Sequence, residues 1–138
     1  MKTLGLILGM LLSGLVVKAQ DTKGVDVTII IENVLSNEGK IIGALHTQDT
    51  FMKGPGIKNT IIDAITGEAS LTFSDVAPGT FALLIMHDTN GNNRMDFDTN
   101  GMPQESYATS GEVSFGPPNF EDSKFEVANK DLAIRIRF

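Results

Sequence analysis

No cysteine occurs in the 138 residues, so disulfides, thiolate metal sites and an acylated N-terminal cysteine are all excluded. A hydrophobic core, assisted at most by a bound ion, has to hold the fold. Basic residues are scarce, with 11 Lys and Arg against 17 Asp and Glu. That balance disfavours nucleic acid and anionic lipid surfaces as partners. Imidazoles are limited to His46 and His87. Beyond the first twenty residues no segment repeats its apolar positions at helical spacing over three turns, which excludes a helical bundle.

The N-terminal stretch MKTLGLILGMLLSGLVVKAQ has a basic Lys2, an apolar run from Leu4 to Val17 and short residues leading to Ala19. This is the layout of a secretory signal peptide, and cleavage is expected after Ala19. The apolar run is shorter than the roughly 20 residues that span a bilayer, and Lys18 closes it. The mature chain then starts at Gln20 and has 119 residues, enough for one domain (20–138). Loss of Lys2 and Lys18 leaves 9 basic against 17 acidic residues, a formal charge of −8. The expected location is exported, periplasmic or extracellular, with no membrane insertion after cleavage and a monomeric state.

Most of the remaining chain alternates with period two between turn residues. Val25, Val27, Ile29 and Ile31 share one face of a strand over Val25 to Asn33, and Asp26, Thr28 and Glu32 share the other. Ser36-Asn37-Glu38-Gly39 reads as a turn into a partner strand, Lys40 to Thr47, and Phe51 to Lys58 as a Gly/Pro-broken loop. Thr60 to Thr66 and Ala69 to Asp75 flank Gly67-Glu68, which predicts a second hairpin with Leu71 and Phe73 inward. Val76-Ala77-Pro78-Gly79 feeds the run Phe81 to Met86, apolar on both faces and therefore expected in the middle of a sheet. Lys124 to Val127 and Leu132 to Phe138 complete about seven strands. An antiparallel β-sandwich follows, Ig-like or transthyretin-like, with an ordered loop excursion over about Asp88 to Asp122.

The start of that excursion, HDTNGNNRMDFDTNG, carries the chemistry. A hard cation such as Ca2+ takes six to eight oxygens, and a turn with carboxylates and amides at positions 1, 3, 5 and 9 can wrap one. Asp88, Asn90, Asn92 and Asp96 hold those positions, and the backbone carbonyl of Arg94 falls at position 7. Position 6 is Asn93 where Gly is usual, and position 12 is Thr99 where a bidentate Glu is usual. Asp98 or Glu105 then has to supply the missing oxygens. The competing reading is a polar turn whose Asn, Gly and Asp bond their own backbone. Against it stands the repulsion among three carboxylates offset only by Arg94.

Strand alternation puts His87 on the face of Phe81, Leu83 and Ile85, so a hydrogen-bonded structural histidine is expected there and also at His46. Zinc lacks a third ligand near both. Ser106, Ser110 and Ser114 lack a nucleophile setting or a spaced base. In Phe115-Gly116-Pro117-Pro118-Asn119-Phe120 two rigid prolines lie between aromatics. The segment reads as a clamp pinning the excursion to the sandwich, or as an exposed aromatic platform for a glycan or peptide.

Three strings together, H-D-x-N-x-N-x-x-x-D at His87 to Asp96, G-x-P-x-E at Gly101 to Glu105 and F-G-P-P-x-F at Phe115 to Phe120, resemble the exported bacterial family catalogued as domain of unknown function 2141. The V-A-P-G-T-F turn and the final strand also sit where that family places them. The family commonly has Gly where this chain has Asn93 and Ser106, a departure that touches loop geometry rather than fold. The resemblance implies no activity. The V-A-P-G-T-F turn is also similar to turns of carboxypeptidase-regulatory and Cna-B-like sandwiches, an analogy of fold alone.

The leading expectation is an exported, non-enzymatic binding or accessory module of the cell envelope, with a Ca2+ loop and a glycan or protein ligand. The second is a hydrolase using Asp88, His87 and Glu105 in a loop pocket. The third is a structural subunit joined through sheet edges, disfavoured by Arg135 and Arg137 on the terminal strand.

Overall fold

The computed structural model describes residues 23–112 and 115–138; the leader, its cleavage site and Ser114 lie outside them. Eight strands and one helical turn run in the order β1 (Val25–Val34), β2 (Lys40–His46), β3 (Lys58–Asp63), β4 (Gly67–Val76), β5 (Gly79–Asp88), β6 (Tyr107–Thr109), α1 (Phe120–Ser123), β7 (Lys124–Val127) and β8 (Leu132–Arg137). They form a three-stranded sheet in the order β4-β1-β8 and a five-stranded sheet in the order β3-β2-β5-β6, with β7 also pairing β5. β6 and β7 share the edge of β5 opposite β2, against Leu84–Met86 and Gly79–Ala82 respectively.

Period two selects which side chains meet between the sheets. Val27, Ile29 and Ile31 of β1, with Leu71 and Phe73 of β4, face Ile41 and Leu45 of β2 and Leu83 and Ile85 of β5 in one buried cluster. Each such side chain contributes roughly 1.5 to 3 kcal/mol by leaving water. Phe73, the largest of the fully buried side chains, is the one whose loss would leave the biggest void. The alternation, the inward Leu71 and Phe73, and the central place of β5 match the sequence expectation.

Pairing differs from it in two places. β1 does not form a hairpin with β2: it pairs antiparallel with β4 and parallel with β8, while β2 pairs with β3 and β5. Likewise β3 and β4 do not form a hairpin but belong to different sheets. Both turns carry the chain across the sandwich. Turn residues mark where a strand ends, and burial of one face satisfies a hairpin and a crossover equally, so alternation alone does not choose between them. The excursion also contains β6, and a short α1 whose Asn119 side chain accepts from the Asp122 N–H at 2.9 Å.

The outer faces of the two sheets differ in kind. On the three-stranded sheet Arg135 reaches Glu32 and Glu68 at 2.6 and 3.3 Å, and Thr28 meets Thr72. On the five-stranded sheet the outward residues include Ile42, Ala44, Leu84 and Met86. The outer face of the three-stranded sheet carries paired charges, whereas the middle of the five-stranded sheet's outer face is apolar.

Candidate functional site

The acidic loop leaves β5 at Asp88, whose carboxylate is fully buried. Its Oδ1 accepts from the N–H groups of Gly91 and Asn92 at 3.0 and 3.3 Å, and its Oδ2 from that of Asn93 at 2.8 Å. Three successive backbone donors around one carboxylate bend the chain into a tight turn, with Gly91 and Asn93 at positive φ of 74° and 61°. Asn tolerates that backbone, which is why the absence of Gly at 93 does no harm. The Asp96 carboxylate lies across the turn. Asn90 donates to it at 2.7 Å, Asn92 donates at 2.8 and 2.9 Å, and the Arg94 Nε is 3.9 Å away. Glu105 bridges the two ends of the loop, accepting from the Thr89 N–H at 3.1 Å and the Asp96 N–H at 3.3 Å.

Asp88, Asn90, Asn92, Arg94 and Asp96 are therefore brought together, and Glu105 joins them from behind. Asp98 is not: it accepts from the N–H groups of Asn100 and Met102 at 2.8 and 2.9 Å and shapes a separate turn. Among the described residues no three His, Asp or Glu side chains stand as a metal-holding group. The repulsion expected among the carboxylates is met in large part by backbone and amide donors of the loop itself.

The same loop forms one wall of a groove with a volume of about 1020 Å³, at the upper end of the range of ligand pockets. Its floor is the outer face of the five-stranded sheet. The register sets Ile61, Ile42, Met86 and Tyr107 in one row across β3, β2, β5 and β6. The walls come from the loops around Met52 to Pro55, Asn93 to Pro103 and Gly116 to Pro118. Among the described residues none that lines the groove is charged, and four of the chain's six methionines, Met52, Met86, Met95 and Met102, face it. Met is flexible and polarizable, suited to a surface that adapts to an apolar occupant.

A family model describing uncharacterized proteins conserved in bacteria matches residues 29–135. The chain belongs to the DUF2141 family. The match takes in the last six residues of β1, all of β2 to β7 and most of β8, hence both the acidic loop and the whole groove floor of this DUF2141 protein. No curated protein and no solved structure matches the chain.

The two histidines hold structure. His87 Nε2 donates to the Glu38 carbonyl at 2.8 Å, since a carbonyl can only accept, and its ring stacks on Phe138. His46 is buried, its Nδ1 at 2.9 Å from the Thr50 carbonyl and its ring edge-on to Phe51. Burial lowers its pKa below the ordinary histidine value, opposed by the bond to Thr50. Ser110 is also structural: it accepts from the Leu83 N–H at 2.8 Å and donates to the Ser123 carbonyl at 2.5 Å. The expected clamp is split. Phe120 packs edge-on against Phe51 at 6.0 Å, while Phe115 is fully exposed and Pro117 and Pro118 line the groove.

Sequence reasoning missed the groove as a site, although its signal was present. Ile42, Ala44, Leu84 and Met86 are apolar at positions where an outward face should be polar.

Proposed function

We propose that this DUF2141 protein is an exported, non-enzymatic binding module that holds an apolar ligand against the outer face of its five-stranded sheet. One observation carries the reading: a large, uncharged groove floored by a continuous cross-strand row of three apolar side chains and one tyrosine and walled by three loops. Exposed Met52, Ile61, Phe97 and Met102 lie together there, and clustered apolar exposure of this kind marks interaction sites. The hydrolase reading has less support. The carboxylates of Asp88 and Glu105 are engaged by backbone N–H groups, His87 is tied to a carbonyl, and none of the three lines the groove.

Ca2+ binding by the acidic loop belongs to the same proposal. Two carboxamides converge on Asp96 beside the Asp88 carboxylate, and rotating each amide by half a turn exchanges its NH2 for an oxygen. Asp88, Asn90, Asn92 and Asp96, with the Arg94 carbonyl, would then offer oxygens, and the ion would stiffen one wall of the groove.

Titration with 8-anilinonaphthalene-1-sulfonate, which fluoresces in apolar sites, tests the module. The parent should bind one equivalent saturably. Phe97→Asp and Met102→Asp, at exposed wall positions, should lose most of that signal while keeping the parent's circular dichroism. Equal binding by parent and both variants would sink the groove as the site.

A further inference from the structure

We infer that the groove's ligand is a monomeric, single-chain lipid-like molecule whose acyl or alkyl chain lies across the strands. The inference rests on the binding-module reading and names its ligand class. The row Ile61, Ile42, Met86 and Tyr107 crosses four strands, which at about 4.8 Å per strand gives a track of about 14 Å for an extended hydrocarbon. Beside it runs a second row, Asn59, Ala44, Leu84 and Thr109. Ala44 is the smallest side chain of that second row.

What the groove lacks disfavours the other ligand classes. Its polar side chains are Asn59, Asn93 and Tyr107, and it has no charged one. A bound peptide brings a backbone N–H and a carbonyl for every residue, and a glycan brings several hydroxyls for every ring. Buried without partners, each such group weakens binding. The groove also lies over the face of the sheet, so strand addition at an edge cannot satisfy a peptide there. A hydrocarbon chain has nothing to leave unsatisfied. Recessed between loop walls on an acidic protein, the floor suits a chain delivered singly better than one held in an anionic bilayer.

Tyr107 supplies the readout. It is the chain's single tyrosine, no tryptophan is present, and it lines the groove. Emission excited in the tyrosine band, to the red of phenylalanine absorption, therefore reports this site. The experiment titrates the full chain with 1-hexanol, 1-octanol and 1-decanol, with an eight-residue Leu/Ser alternating peptide, and with phosphatidylcholine vesicles. The alcohols should bind one to one, tightening roughly fifteenfold for each two added methylenes, the worth of their transfer from water. Ile61→Glu and Met102→Glu, at positions 48% and 63% exposed, should each weaken 1-decanol at least tenfold. Circular dichroism confirms that both variants keep the fold. A flat affinity across the three alcohols overturns the inference. So does a response to peptide or vesicles without one to 1-decanol, which leaves the binding module standing with a different ligand. No Tyr107 response to any of these probes, joined to absent dye binding, overturns both.

Discussion

Replacing Asp88 by Ala removes the carboxylate around which the acidic loop is wound. Three backbone N–H groups lose their acceptor, those of Gly91, Asn92 and Asn93. Hydrogen bonds to a charged group contribute about 1.5 to 3 kcal/mol each. Two of the three share Oδ1, and the donor residues are exposed, so water replaces part of what is lost. About 1 kcal/mol per bond is then appropriate, or about 3 kcal/mol in all. For a domain of this size that corresponds to a fall in melting temperature of roughly 9 to 15 °C. Circular dichroism melting in chelator measures it without any contribution from an ion. Repeating the melt in saturating Ca2+ separates the two roles of Asp88. Binding to the native state adds RT ln(1 + [L]/Kd), about 2.7 kcal/mol at 100 times Kd, a rise of roughly 8 to 14 °C in the parent. Asp88→Ala should show none of that rise. If the variant melts within about 2 °C of the parent in chelator, the three-bond bracket contributes nothing and the reasoning fails. If Ca2+ leaves the parent unchanged, the loop is a polar turn held by its own donors.

Other consequences follow from single contacts. His46, its pKa lowered by burial, resists protonation in the fold while the unfolded chain takes up the proton near pH 6.5. Stability should therefore fall as pH drops below that value and recover as it rises, and His46→Gln should flatten the change in urea midpoint between pH 5.5 and 7.5. Ser110→Ala strands the buried Leu83 N–H and the Ser123 carbonyl and should cost about 2 to 5 kcal/mol by urea denaturation; a loss below 1 kcal/mol would show that water fills the gap. Mass spectrometry of natively produced protein should find a chain starting at Gln20; an intact Met1 in a membrane fraction would refute the export assignment.

Strand positions were legible because burial of one face writes itself into alternate residues: Val27, Ile29 and Ile31 could be assigned to the core before any pairing was known. Partner choice was not. The β1–β8 ladder joins residues more than a hundred positions apart, and nothing local to Ile29 points to Ile134. β6 was hidden because three residues, Tyr107 to Thr109, are too few to display a period and lie among loop residues. In the acidic loop the spacing of Asp88, Asn90, Asn92 and Asp96 did predict convergence. It could not show that Asp98 turns away to serve its own N–H partners. The groove needed the sheet order, since Ile61, Ile42, Met86 and Tyr107 become neighbours only when four separate strands are laid side by side.

The parallel pairing of β1 with β8 has a mechanical consequence. Six register pairs, from Val27 with Leu132 to Glu32 with Arg137, join the two strands in the same direction. A pull on the start of β1 against the end of β8 therefore slides one strand along the other. All the ladder bonds are loaded together instead of opening one after another, as they would in an antiparallel pair gripped at one end. Tension along the chain meets this ladder first, while the groove floor hangs on β2, β3, β5 and β6 outside the force path. A molecule tethered at both ends would keep its five-stranded sheet and the groove over it intact until the β1–β8 seam failed.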